Sequence, residues 1–117
     1  MLDCGRLTSA PMVAMKDILE LSDRIVSEFD PEKIILFGSH AYGTPGEHSD
    51  VDLLLIMPFA GSTFQQSLEV EERLDPPFYV DFIVRAPEDA ERRYREGDPL
   101  IREAFDRGKV LYERSCS

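Results

Sequence analysis

Apolar residues fall at Met15, Ile18, Leu19, Ile25, Val26 and Phe29, with the small Ser22 between them. That spacing predicts a helix with one apolar face over residues 12–29, stopped by Asp30–Pro31 because a residue before proline avoids the helical region. The run KIILF at 33–37 has the β-branched and aromatic character of a buried strand, and VDLLLIM at 51–57 gives a second strand, closed by Pro58. Ser62 with Gln65 three residues later carries a helix-start pattern for 62–74, and Asp75–Pro76–Pro77 ends that helix. FYVDFIV at 78–84 predicts a third strand with one charge, Asp81, inside it. Pro87 followed by Glu88 and Asp89 opens a charged helix that Gly97 closes. Asp98–Pro99 opens another, Gly108 caps it, and 109–113 suits a short last strand.

Helix, strand, turn, strand, helix, strand, two helices and a short strand describe an α/β domain of the α+β kind. A small mixed sheet, apolar on both faces, is expected between flanking helices. Residues 1–11 mix small, polar and charged types without a period, so they are expected to form a flexible N-terminal tail to a single domain over 12–114.

Composition narrows the function. Of 117 residues, 43% are hydrophobic, enough for a packed core, and the formal net charge is −10. That acidic balance disfavours nucleic acid as a primary partner, since phosphate backbones are held by clustered Lys and Arg, and it disfavours an anionic membrane. The charge suits a protein that recruits divalent cations or meets a basic partner. Cys4 and Cys116 lie at opposite ends and make no disulfide framework. With no secretory signal pattern and no membrane-length apolar run, the expected compartment is the cytoplasm.

The chemistry gathers where strand 51–57 begins. Asp50 and Asp52 are two apart, so on a strand they project to the same face. Like charges held that close repel unless a cation lies between them. One or two Mg²⁺ ions, which take carboxylates plus substrate phosphates, fit that demand. Asp81 is the third candidate ligand, because a charge inside an apolar strand is costly without a partner. If its strand lies beside 51–57, three carboxylates around the metal support in-line attack on phosphorus, with Asp81 also accepting the proton of the incoming hydroxyl. The plainer reading of Asp81 is an edge-strand charge facing solvent. Gly38 and Ser39 follow a strand and precede a predicted turn, so their backbone N–H groups and the Ser39 hydroxyl can cradle a triphosphate. Gly38 lets a phosphate approach the chain. Ser49 either caps the turn or supports the nucleotide and metal ligands. His40, His48 and Tyr42 read as loop residues, the acidic run 69–72 and Arg92, Arg93 and Arg95 as solvated helix faces.

The run GSHAYGTPGEHSDVDLLLI resembles the signature of the polymerase-beta-type nucleotidyltransferase superfamily: Gly–Ser, a glycine-containing loop, then Asp–x–Asp entering an apolar strand, with a third acidic residue, here Asp81, on a later strand. The early helix and the ending REAFDRGKVLYER resemble the minimal nucleotidyltransferases of prokaryotes. The resemblance implies the polymerase-beta-like fold and Mg²⁺-dependent transfer of a nucleoside monophosphate, AMP from ATP, to a hydroxyl. It also implies an antitoxin-like role beside a HEPN-type toxin, with some relatives adenylylating a tyrosine on that toxin. Relatives often carry basic residues after Gly–Ser, where this chain has His40 and Tyr42. Two alternatives stand beside the enzyme: an acidic, non-catalytic binding module that neutralises a toxin by contact, and transfer to a small molecule, for which the chain has little room. Pairing of two copies through the apolar N-terminal helix is a further expectation.

Overall fold

The computed structural model describes residues 14–38 and 51–114. The elements in order are α1 (Met15–Phe29), β1 (Lys33–Phe37), β2 (Val51–Ile56), α2 (Thr63–Leu74), β3 (Val80–Arg85), α3 (Pro87–Glu96), α4 (Pro99–Arg107) and β4 (Lys109–Glu113). The four strands form one mixed sheet in the order β3-β2-β1-β4. β1 runs antiparallel to β2 and β4, whereas β2 and β3 are parallel. A parallel pair needs a crossover rather than a hairpin, and α2 supplies it.

Strand alternation divides the core. Ile34, Leu36, Val51, Leu53, Leu55, Phe82 and Val84 face one side and pack with Ile18, Leu21 and Ile25 of α1 and Val70 and Leu74 of α2. Ile35, Phe37, Leu54 and Ile56 face the other and pack with Ala90 of α3 and Ile101 and Ala104 of α4. The sheet is therefore buried on both faces, and β1 and β2 read as unbroken apolar runs for that reason. The apolar side of α1 is taken up by the chain's own core, with Ile18, Leu21 and Ile25 almost fully buried.

Local chemistry sets the boundaries. Asp30 and Asp75 end α1 and α2 in the left-handed region, at φ 51° and 42°, and each precedes a proline that cannot continue the helix. Aspartate is among the few non-glycine residues that tolerate this conformation. The Ser62 hydroxyl accepts the N–H of Gln65 at 3.1 Å, as the sequence pattern predicts. The Asp98 carboxylate accepts from the N–H groups of Leu100 and Ile101 at 3.0 and 3.3 Å.

Three expectations need adjustment. The first helix begins at Met15 rather than at residue 12. The third strand spans Val80–Arg85 rather than 78–84, so Asp81 is its second residue and not its middle. Gly108 does end α4, but at φ −77°, so positive φ is not what it supplies. A Cβ there would lie 2.6 Å from Ile35 Cγ2 and 2.9 Å from the Leu36 carbonyl oxygen. Gly108 lets the end of α4 press onto β1. Among the described residues, no helix is long and apolar enough to cross a membrane.

Candidate active site

Gly38, Asp52 and Asp81 meet at one end of the sheet. β1 finishes there, whereas β2 and β3 begin there, because β1 runs opposite to the other two. Asp52 pairs in register with Phe37 across β1 and with Asp81 across β3. Partners on the same rung of neighbouring strands, about 4.8 Å apart, project to the same side. Both aspartates thus share the face of Leu54 and Ile83, the side covered farther along by α3 and α4. Asp52 is half-buried and Asp81 is exposed. The solvent-facing edge position foreseen as the plainer reading of Asp81 is its actual position. The edge is also what sets it beside Asp52.

Gly38 closes the other side of Asp52. Its φ is +81°, and a Cβ at this position would lie 2.5 Å from Asp52 Oδ2. Any side chain here would displace the carboxylate, so glycine is required twice over, by conformation and by space. The carboxylate of Asp52 is held against bare backbone on one strand, with a second carboxylate on the next.

This donor set suits a hard divalent cation. Two carboxylates on one rung repel each other in its absence, and carboxylate oxygen is what Mg²⁺ selects. Among the described residues no cluster of three or more Asp, Glu, His or Cys side chains forms a metal site. Asp50, Ser39, Ser49, His40, Tyr42 and His48 lie outside the described residues. The helix faces behave as expected: Arg92 pairs with Asp89 and Glu96, Arg93 with Asp89, and Arg95 with Glu91, within α3.

One residue at this edge was not singled out from the sequence. Arg85 ends β3, four positions beyond Asp81, and its Nε is buried without a hydrogen-bond partner. The signal was a single cation closing the apolar run FYVDFIVR.

The family model for a nucleotidyltransferase domain matches residues 18–111. Among solved structures, a Sulfolobus solfataricus protein assigned as a nucleotidyltransferase superposes with a TM-score of 0.59 at 20% identity, covering 86% of this chain and 80% of its own. A toxin–antitoxin structure with AMP-PNP gives 0.53 at 19% identity, covering 88% and 76%. The toxin–antitoxin MntA–HepT gives 0.50 at 14% identity, covering 86% and 74%. No curated protein sequence matches significantly. The fold is the polymerase-beta-like one that the Gly–Ser and Asp–x–Asp run implies, and the chain belongs to the nucleotidyltransferase domain family, a family of transferase enzymes.

Proposed function

We propose that this chain transfers a nucleoside monophosphate, AMP from ATP, to a hydroxyl on a partner protein, and that the partner is a HEPN-type toxin that it neutralises. The observation that carries the chemistry is the rung shared by Asp52 and Asp81, with Gly38 packed against Asp52. The partner is supported by likeness to toxin–antitoxin structures, one of them with AMP-PNP.

Asp52 and Asp81, with Asp50 preceding β2, are the residues that would hold Mg²⁺. Bound there, the ion would neutralise charge on the triphosphate as it reacts. Gly38 carries no side chain at the end of β1, beside Asp52, and Ser39 and Ser49 are the hydroxyls that would join it in holding the triphosphate. The acceptor hydroxyl oxygen attacks the α-phosphorus and forms the new P–O bond. The bond from that phosphorus to the bridging oxygen breaks, and pyrophosphate leaves. Asp81, exposed at the sheet edge, takes the hydroxyl proton.

Labelled ATP, Mg²⁺ and the partner protein test the reading directly: label should pass to the partner, and Asp52→Asn should abolish transfer in a protein that still folds. The net charge of −10 also favours a second reading, a non-catalytic module that binds a basic toxin. Full neutralisation by an Asp50→Asn, Asp52→Asn double variant would establish that second reading and remove the first.

A further inference from the structure

Gly38 leads into a stretch without a cation: residues 39–50 contain neither Lys nor Arg. Asp52 and Asp81 share a rung beside it, in a chain of net charge −10, and a triphosphate adds further negative charge. A divalent ion offsets part of that charge. Phosphate oxygens beyond the ion need a donor of their own, and the planar fork of an arginine matches them two at a time. Such a donor must come from another element.

α4 brings an arginine to that end of the sheet, because its two flanks face different ways. Arg102 donates to the Tyr94 carbonyl at 2.9 Å and lies over the Tyr94 ring, and Asp106 accepts from the Tyr94 hydroxyl, so this flank meets α3. Beside it, the Lys33 ammonium sits over the Phe105 ring, and Phe105 and Asp106 line a cavity with Lys33 and Ile56. Lys33 opens β1 and Ile56 closes β2, so this flank looks to the sheet end away from Asp52. Helical spacing puts Glu103 and Arg107 on the opposite flank, on the side where Gly38 and Asp52 lie.

The junction of α4 with β4 sets the height. β1 and β4 register Leu36 with Lys109, and the same antiparallel count carried two residues on sets Gly108 beside Phe37 and Arg107 beside Gly38. A Cβ on Gly108 would lie 2.9 Å from the Leu36 carbonyl oxygen, and the Arg107 Cα is one residue, about 3.8 Å, farther back. α4 packs on the sheet face of Ile35, Phe37 and Leu54, the face to which Asp52 and Asp81 project. Arg107 is exposed there. Across this end of the sheet the order is therefore Asp81, Asp52, Gly38, Arg107. Lys109 stands apart from the row: its rung partner Leu36 packs with α1 and α2, so Lys109 projects to the other face.

We propose that Arg107 holds the β- and γ-phosphates of the donor nucleotide, the pyrophosphate that leaves. In-line displacement puts the incoming hydroxyl and the leaving oxygen on opposite sides of the α-phosphorus. With Asp81 taking the hydroxyl proton at one end of the row, the leaving group extends past Asp52 toward Gly38 and Arg107. The guanidinium there offsets the charge that builds on pyrophosphate as its bridging oxygen parts from the α-phosphorus. The proposal rests on the reading of Asp52 and Asp81 as a transfer centre, and it assigns the cation of that centre to an element remote in sequence from Gly38.

The test is fluorescence anisotropy of the full chain with labelled AMP-PNP and Mg²⁺, in competition with unlabelled AMP and pyrophosphate. Arg107→Gln should weaken AMP-PNP and pyrophosphate about tenfold each, the scale of one charge-assisted hydrogen bond, and leave AMP unchanged. Arg107→Glu should weaken the first two further, and it serves if Arg107→Gln fails to fold. Lys109→Gln removes the same charge from the other face and should change none of the three affinities. An arginine that only complements the C-terminal dipole of α4 would lower the melting temperature on substitution and leave the ratio of AMP-PNP to AMP affinity in place. Unchanged AMP-PNP affinity in Arg107→Gln, an equal loss for AMP, or an equal loss in Lys109→Gln overturns the proposal. Those outcomes leave the transfer reading standing, whereas no saturable binding of AMP-PNP by the unmodified chain removes both.

Discussion

Gly38 and Asp52 are so closely apposed at the end of the β1–β2 pair that a methyl group on Gly38 would lie 2.5 Å from Oδ2 of Asp52. Gly38→Ala should therefore act twice. The left-handed backbone, at φ +81°, costs an alanine about 1–2 kcal/mol, to be read as a lower midpoint in urea. The displaced carboxylate should cut transfer by roughly a hundredfold, the usual effect of a misplacement near 1 Å at a reacting centre. An alanine variant with normal initial rates would show that the position of Asp52 is not critical.

The Asp52–Asp81 rung predicts opposite responses with and without metal. In metal-free protein, Asp81→Asn removes a like-charge neighbour of Asp52 and should leave the melting temperature unchanged or slightly higher. Mg²⁺ or Mn²⁺ should raise the melting temperature of the unmodified chain by mass action, and the rise should vanish in Asp52→Asn and shrink in Asp81→Asn. Differential scanning fluorimetry across a metal titration decides this. An undiminished shift in Asp81→Asn would exclude that residue as a ligand.

Stability should fall in acid through the turn between α3 and α4. Asp98 is partly withdrawn from water, which alone would raise its pKa. The N–H of Ile101, the Arg93 guanidinium and the N–H of Leu100 outweigh that and hold it below the ordinary value of 3.8. Asp89 is lowered as well, first by its hydrogen bond from Arg93. A carboxylate whose pKa is depressed on folding contributes stability above its unfolded value, and that contribution is lost as pH falls through the folded one. Unfolding measured from neutral pH downward should show a loss that begins near pH 4 and continues below it. Asp98→Asn keeps a side-chain acceptor for the N-terminus of α4 and should flatten that acid limb. Asp98→Ala should cost about 1 kcal/mol at neutral pH.

Gly97 and Gly108 both follow a helix, yet their alanine variants should differ. Gly97 has φ +89°, and a methyl group there would meet nothing within 4 Å, so Gly97→Ala should cost only the backbone term, about 1–2 kcal/mol. Gly108 needs no special φ, but a Cβ there would collide with the Ala104 and Leu36 carbonyl oxygens. Backbone cannot yield as a side-chain tip does, so Gly108→Ala should be clearly the more destabilising of the two, and should loosen α4 from β1. Chemical denaturation of the two variants side by side is sufficient.

Much of the architecture was legible along the chain because local rules and tertiary demands agree. Both faces of β1 and β2 are buried, and KIILF and VDLLLI are apolar at nearly every position. The Ser62 and Asp98 caps bind the N–H groups that their spacing predicts. The strand-like chemistry of Phe78 and Tyr79 sets the expected start of β3 two residues early; Tyr79 is 85% exposed and joins the ladder through its carbonyl to Val51, just ahead of Val80. Gly108 looked like a glycine of the left-handed type because the sequence reveals the residue and not the neighbour that crowds it.

The elements, the family and the residue types of the candidate centre stand along the chain, because hydrophobic period, caps and the Gly–Ser and Asp–x–Asp spacing are local. No local pattern could reveal that Asp81 stands on the same rung as Asp52, since strand order and register depend on how elements distant in sequence pair and bury their faces. The charge in FYVDFIV allowed an edge position for Asp81, but strand pairing alone puts β3 at the sheet edge, with Arg85 half-buried and its Nε unpartnered. Those features arise only when α2 carries the chain from β2 to a parallel β3 at the end of the strand order.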